Sequence, residues 1–208
     1  AAGWACRGRR APGGAALEGR GLLSAARPGG LAGIGVLVAV WAARAVAAGI
    51  VSRPDENGDY TMYEVPVGAG FSGGTSIYGW YFSLPSAVGV LVLLAAVLAA
   101  LVVVARASLR VDPAVDETIR RHRAGDLVAA TAGALLLHLG AVLTSLSGTA
   151  SLTFTMTIDA GRISVVGPFA ALGPALGVAG AVATTLGFAL WWFVVLAALR
   201  RRRVPVTA

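Results

Sequence analysis

Four apolar stretches, roughly 31–51, 86–105, 127–147 and 175–199, dominate this chain of 208 residues. Each holds about the 20 apolar residues that carry a helix across a hydrocarbon core of ~30 Å. That leaves few folds open. In lipid every backbone N–H and C=O must find a partner inside its own segment, which favours helices. The composition agrees: 57% of residues are hydrophobic, 13% are charged and the mean hydropathy is +0.77. A soluble domain carries about 25% charged residues. The fold class expected is an all-α membrane protein, a four-transmembrane-helix bundle.

Charge is sorted along the chain. All 17 basic side chains are Arg, and the formal net charge is +7. Residues 1–30 hold five Arg against Glu18, and the end of the chain holds Arg200–Arg203 with no acid. The connector 52–85 sets Arg53 against Asp55, Glu56, Asp59 and Glu64. The middle connector carries Arg106, Arg110, Arg120, Arg121 and Arg123, whereas 148–174 has only Asp159 and Arg162. Arg near helix ends stays on the cytoplasmic side, so both termini are expected inside and connectors 52–85 and 148–174 outside. Basic ends can also bind nucleic acid, but these clusters abut membrane spans, and no nucleic-acid partner is expected. The first span has signal-peptide features, with Ala45-Val46-Ala47 as a small-residue site. Its apolar run is longer than an h-region and is interrupted by Arg44, so it is read as a retained span. The first residue is Ala, which points to a processed or missing start; the Arg-only, Ala- and Gly-rich usage suggests a high-GC bacterial genome.

The expected domain plan follows: a disordered basic tail over 1–30, a transmembrane domain over 31–199, and a basic tail over 200–208. Ser151–Ile158 alternates, with Leu152, Phe154, Met156 and Ile158 on one face and Ser151, Thr153, Thr155 and Thr157 on the other. Asp159-Ala160-Gly161-Arg162 supplies turn chemistry before the β-branched return, Ile163–Val166, as in a hairpin. Tyr60–Val67 reads as a strand after the turn-like Pro54–Gly58. A lone hairpin is marginal in water, so the two outer connectors are expected to pair into a small extracytoplasmic β cap. Tyr78, Trp80, Tyr81 and Phe82 suit an outer aromatic belt, with Pro85 in the first turn of the second span. Trp191 and Trp192 lie deeper, where they pack on helices or lipid. Asp112-Pro113 suits a helix start, and a short amphipathic helix is expected to break near Gly125-Asp126.

Two stripes of small residues recur every four positions: Gly35, Ala39, Ala43 and Ala47, and Gly173, Gly177, Ala181, Thr185 and Ala189. Such stripes let helix backbones approach closely. Thr131, Thr144, Ser145, Thr184 and Thr185 can bond to carbonyls one turn back or across helices.

Arg44 and His138 are the two ionisable residues inside apolar spans, at similar depths. An Arg there costs at least ~2.5–3.5 kcal/mol and needs compensation. No span contains Asp or Glu, so the candidates are His138, Thr144, an outer-loop acid, a lipid phosphate or an acidic partner subunit. Arg44 and His138 are thus the candidate partner or ion contacts, His138 being read chiefly as a hydrogen-bonded packing residue. No catalytic, cofactor or metal residue is assigned. A bis-His haem would need a second His in the bilayer, and His122 lies in a connector. Cys6 has no partner for disulfide chemistry; HExxH, CxxC and a Lys-containing phosphate loop are missing. The expected function is that of a non-catalytic accessory or scaffold subunit of a larger bacterial membrane complex, in the plasma membrane. Its partners would be the lipid bilayer and other membrane subunits or copies of itself. The alternative is a small transporter or channel module with an Arg44/His138 layer.

Overall fold

The computed structural model describes residues 28–68, 71–106, 113–158 and 161–202. The tail expected to be disordered (its residues 1–27), Cys6, the Asp112 cap, the turn pair Asp159–Ala160 and the last six residues lie outside them. Four helices, α1 Pro28–Val51, α2 Trp80–Arg106, α3 Pro113–Ala150 and α4 Gly173–Arg202, are long and apolar enough to cross a membrane. α3 packs against each of the other three, and it runs antiparallel to α4, with Gly140 beside Gly180 and Gly133 beside Gly187.

The spans extend past their expected ends. α2 starts six residues early, at Trp80, so Pro85 lies inside the helix rather than in the expected first turn. Pro85 removes one N–H and crowds the Tyr81 carbonyl. This close to the helix start little is lost, and Ser86 Oγ donates to the Phe82 carbonyl at 2.9 Å. The expected break near Gly125-Asp126 is not there: α3 is continuous over 38 residues. A helical Gly costs only about 1 kcal/mol, and packing on both sides of Gly125 offsets it. Ala124 is fully buried against Leu101 of α2, with Leu31 and Leu127 around them. One turn earlier, Arg120 pairs with Asp116 and donates from Nη1 to the Ala105 carbonyl at 3.2 Å. This pair fastens the end of α2 onto α3.

The α3–α4 seam is tight because glycines face each other. A Cβ on Gly140 would lie 2.9 Å from the Gly180 carbonyl, and one on Gly187 2.9 Å from the Gly133 carbonyl. The seam on α4 follows Gly173, Gly177, Gly180, Thr184, Gly187 and Trp191. The expected stripe is therefore right only for its first two members. Ala181, Thr185 and Ala189 are exposed. Steps of four residues precess about 40° per step around a helix of 3.6 residues per turn, whereas alternating fours and threes hold one line. Ser147 crosses the seam to the Gly173 carbonyl at 2.7 Å. Thr131, Thr144, Thr184 and Thr185 each bond to the carbonyl four residues back.

Strands gather at one end of the bundle. β1 (Arg53–Pro54), β2 (Tyr60–Gly68) and β3 (Phe71–Ser76) form one antiparallel sheet; β4 (Thr153–Ile158) and β5 (Gly161–Val166) form a hairpin. Gly161 and Arg162, expected in the turn, pair with Ile158 and Thr157. Leu152 and Phe154 are half-buried while Ser151, Thr153 and Thr155 are exposed, as alternation requires; the side chains of Met156 and Ile158 lie outside the described set. The connectors do not pair with each other: each forms its own sheet. They meet through side chains, because Gly73 leaves room for the Phe154 ring. Below them, Tyr63, Val65 and Ile77 pack on Ala48, Val51 and Leu146. The turn leading into β2 is held by Asp55, whose carboxylate accepts from the Asn57 and Asp59 amides and from Thr61 Oγ1 at 2.8–3.0 Å.

Candidate functional site: an enclosed arginine under the sheets

α1 turns one face inward, carrying Ile34, Trp41, Ala45 and Ala48. Arg44 follows that face and is 9% exposed. All three of its guanidinium nitrogens are buried without a hydrogen-bond partner among the described residues. What it has instead is aromatic. Its Cζ lies 5.0 Å from the centroid of the Tyr78 ring and 5.8 Å from that of Trp41. Stacking on ring faces is worth about 2 kcal/mol or more when desolvated. It satisfies charge in part and leaves every N–H unpaired.

His138 of α3 completes the cluster. Its Nε2 accepts from Trp41 Nε1 at 3.1 Å, so the described bond makes it a packing partner of Trp41. Its ring stands edge-on to Tyr78, 6.4 Å between centroids. Arg44 and His138, paired by depth in the sequence, thus meet the same two rings. Among the described residues none of the expected compensations is made: Thr144 is turned toward the Gly140 carbonyl and Asp55 is committed to its own turn. Tyr78 is tied at its hydroxyl to Ser86 Oγ. It therefore flanks the Arg44 guanidinium, beyond its expected part in an aromatic belt.

Beside this cluster, under the sheets, lies a cavity of about 290 Å³ lined by Arg44, Ala48, Tyr63, Ile77, Leu146 and Leu172 among others. Sequence reasoning did not find it. Its wall comes from α1, α3, α4, β2 and the 3-10 turn Ala170–Leu172, segments with no shared local signal. Burial pushes the Tyr63 phenol above its usual range, so it stays neutral near pH 7 and adds no negative charge. Thr149 donates to the Ser76 carbonyl at 2.9 Å. Arg44 is left as the charged member of the wall.

A second feature faces outward. Gly35, Ala39, Ala43 and Ala47, the α1 stripe, are all exposed, and a Cβ on Gly35 would meet nothing within 4 Å. The two small-residue stripes therefore differ in part: Gly173 and Gly177 of the α4 stripe enter the α3–α4 seam while its last three members are exposed, whereas every member of the α1 stripe is exposed. Trp191 and Trp192 divide similarly: Trp191 Nε1 donates to the Ala130 carbonyl at 3.0 Å, whereas Trp192 is 65% exposed. Compared with protein-family models, curated proteins and solved structures, the chain matches none of them.

Proposed function

We propose that this chain is a non-catalytic integral membrane protein, an accessory or scaffold subunit that docks onto another membrane subunit or a second copy through α1. The observation that supports this is the exposed small-residue stripe Gly35–Ala39–Ala43–Ala47, flanked by exposed Val36, Val40, Val46 and Ile50, on a helix whose other face carries the buried Ile34, Trp41, Ala45 and Ala48. Small residues on an exposed membrane helix cost contact area with lipid and repay it only when a second helix approaches closely. The occupant is thus a transmembrane helix with a small-residue face of its own. Arg44, enclosed by aromatic rings, is not available to this surface. An Arg44/His138 transport layer finds less support, since an anion path is lined by basic or polar groups in register and this layer holds one covered Arg.

The same reading sets the chain in a bacterial plasma membrane with both termini cytoplasmic and the sheets outside. The docking test is copurification in mild detergent. Ala39→Leu with Ala43→Leu is expected to abolish recovery of the partner while the protein still inserts and folds. Undiminished recovery would overturn the docking face. For orientation, in a Cys6→Ser background, a Cys at Asn57 should label from outside intact cells and a Cys at Arg121 should not; the reverse pattern would overturn it.

A further inference from the structure

A buried cation and an apolar void share one wall of this protein, and neither is satisfied by the described residues. Water finds few partners here, because Thr149 is already bonded to the Ser76 carbonyl and the lining residues other than Arg44 and Tyr63 are apolar. A free small anion would meet the Arg44 charge but leave the apolar wall empty. An uncharged hydrocarbon would fill the wall but leave the guanidinium unpaired. One class of molecule answers both. The geometry points to the Arg44 cavity as a binding site for a single-chain anionic amphiphile, its carboxylate or phosphate on Arg44 and its hydrocarbon chain against Ala48, Ile77, Leu146 and Leu172.

The size agrees. Ligand pockets run from ~300 to 1,000 Å³, and about 290 Å³ suits one chain and excludes a diacyl body. Access agrees as well. Ala47 and Leu172 line the cavity and are exposed, so the opening lies between α1 and the start of α4, on the flank of the bundle. A molecule already dissolved in lipid can enter there without crossing water. Arg44 meets it by turning about its last side-chain torsions, off the Tyr78 ring and toward the void. Once there, its planar fork can take two oxygens of one oxyanion, and the neutral Tyr63 offers no repulsion. Its mouth shares Ala47 with the α1 docking face, but the two tests separate: copurification is read on Ala39 and Ala43, away from the mouth, and amphiphile binding on the chain freed of partners.

The test is equilibrium binding of radiolabelled dodecanoate to the full chain in digitonin, which has no straight alkyl chain to compete. Expected are one saturable site per chain, displacement by dodecyl phosphate, and at least tenfold weaker displacement by dodecanol. Acetate and inorganic phosphate should not displace at millimolar concentration. Arg44→Gln should erase the preference for dodecanoate over dodecanol. Ala47→Phe, which adds bulk at the exposed mouth and leaves Arg44 in place, should reduce dodecanoate binding at least tenfold and keeps the test open if Arg44→Gln does not fold. Equal displacement by dodecanol would overturn the role of Arg44. Displacement by acetate or phosphate alone would reduce the site to a free-anion contact. Unchanged dodecanoate binding in Ala47→Phe would overturn the cavity.

Discussion

Adding one methyl group to Gly140 tests whether the glycine seam holds α3 and α4 together. Gly→Ala inside a helix favours the helical state by about 1 kcal/mol, so local propensity alone forecasts stabilisation. Tertiary contact forecasts the opposite. The new Cβ would sit 2.9 Å from both the Gly180 carbonyl and the Thr184 backbone nitrogen. Backbone cannot rotate away as a side chain can, so the two helices must part. Overpacking of this kind costs ~1–3 kcal/mol, and a gap of 0.5–1 Å forfeits a quarter to a half of each neighbouring dispersion contact. Contacts this short call for the upper half of that range, about 2–3 kcal/mol, so with the propensity gain subtracted Gly140→Ala should lose about 1–2 kcal/mol. Gly89 of α2 has nothing within 4 Å of its Cβ position, so Gly89→Ala should be neutral or stabilise by up to ~1 kcal/mol. Gly180 faces the Gly140 carbonyl and the Thr144 nitrogen at 3.0 Å, so it shares the contact. One separation of the helices accommodates both methyls, and the double variant should cost less than the sum by about 1 kcal/mol. Unfolding in maltoside micelles with rising dodecyl sulfate, followed by circular dichroism, measures the parent, Gly89→Ala, Gly140→Ala, Gly180→Ala and the double variant. Gly140→Ala as stable as the parent, or Gly89→Ala losing as much, would refute the reasoning.

Three further outcomes are expected. Asp116→Ala strands the buried Arg120 guanidinium and should cost about 3 kcal/mol in the same assay, with faster exchange of the amides at the end of α2. Hydrogen bonds from the Asp59 amide, Thr61 Oγ1 and the Asn57 and Gly58 amides hold the Asp55 carboxyl below its usual pKa. A lowered pKa contributes stability above the unfolded value, near 4, and the contribution fades as pH falls through the folded value; amide exchange at Gly58 and Asp59 should thus be flat with pH, after correction for intrinsic rates, until the acid limb and should lose that limb in Asp55→Asn. Gly73→Val drives a side chain into the Phe154 ring; it should speed hydrogen exchange in the β4–β5 hairpin while leaving the β1–β2–β3 register intact, and equal loosening of both sheets would count against side-chain coupling.

Much of this protein is local and was therefore readable along the chain. The four spans follow from apolar length, because lipid accepts little else. The β4 alternation follows from the two-residue period of a strand, and the Thr back-bonds follow from helix geometry around each hydroxyl. The depth of Arg44 and His138 could be counted in residues. What could not be counted is azimuth and company. Stripes spaced by four look alike in α1 and α4, yet one drifts out of a seam that advances by three and a half and the other never enters one. Gly125 looks like a break until Ala124 and Leu127 dock on α2. β3, with its Gly73-Gly74 pair, has almost no strand signal and forms because β2 offers it an edge. The cavity beside Arg44 exists only where segments more than a hundred residues apart converge. Sequence set which groups had to leave water, because hydrophobic length and charge placement are properties of short segments. Tertiary structure decided which group each would meet, because contact depends on the rotation of whole helices about their axes.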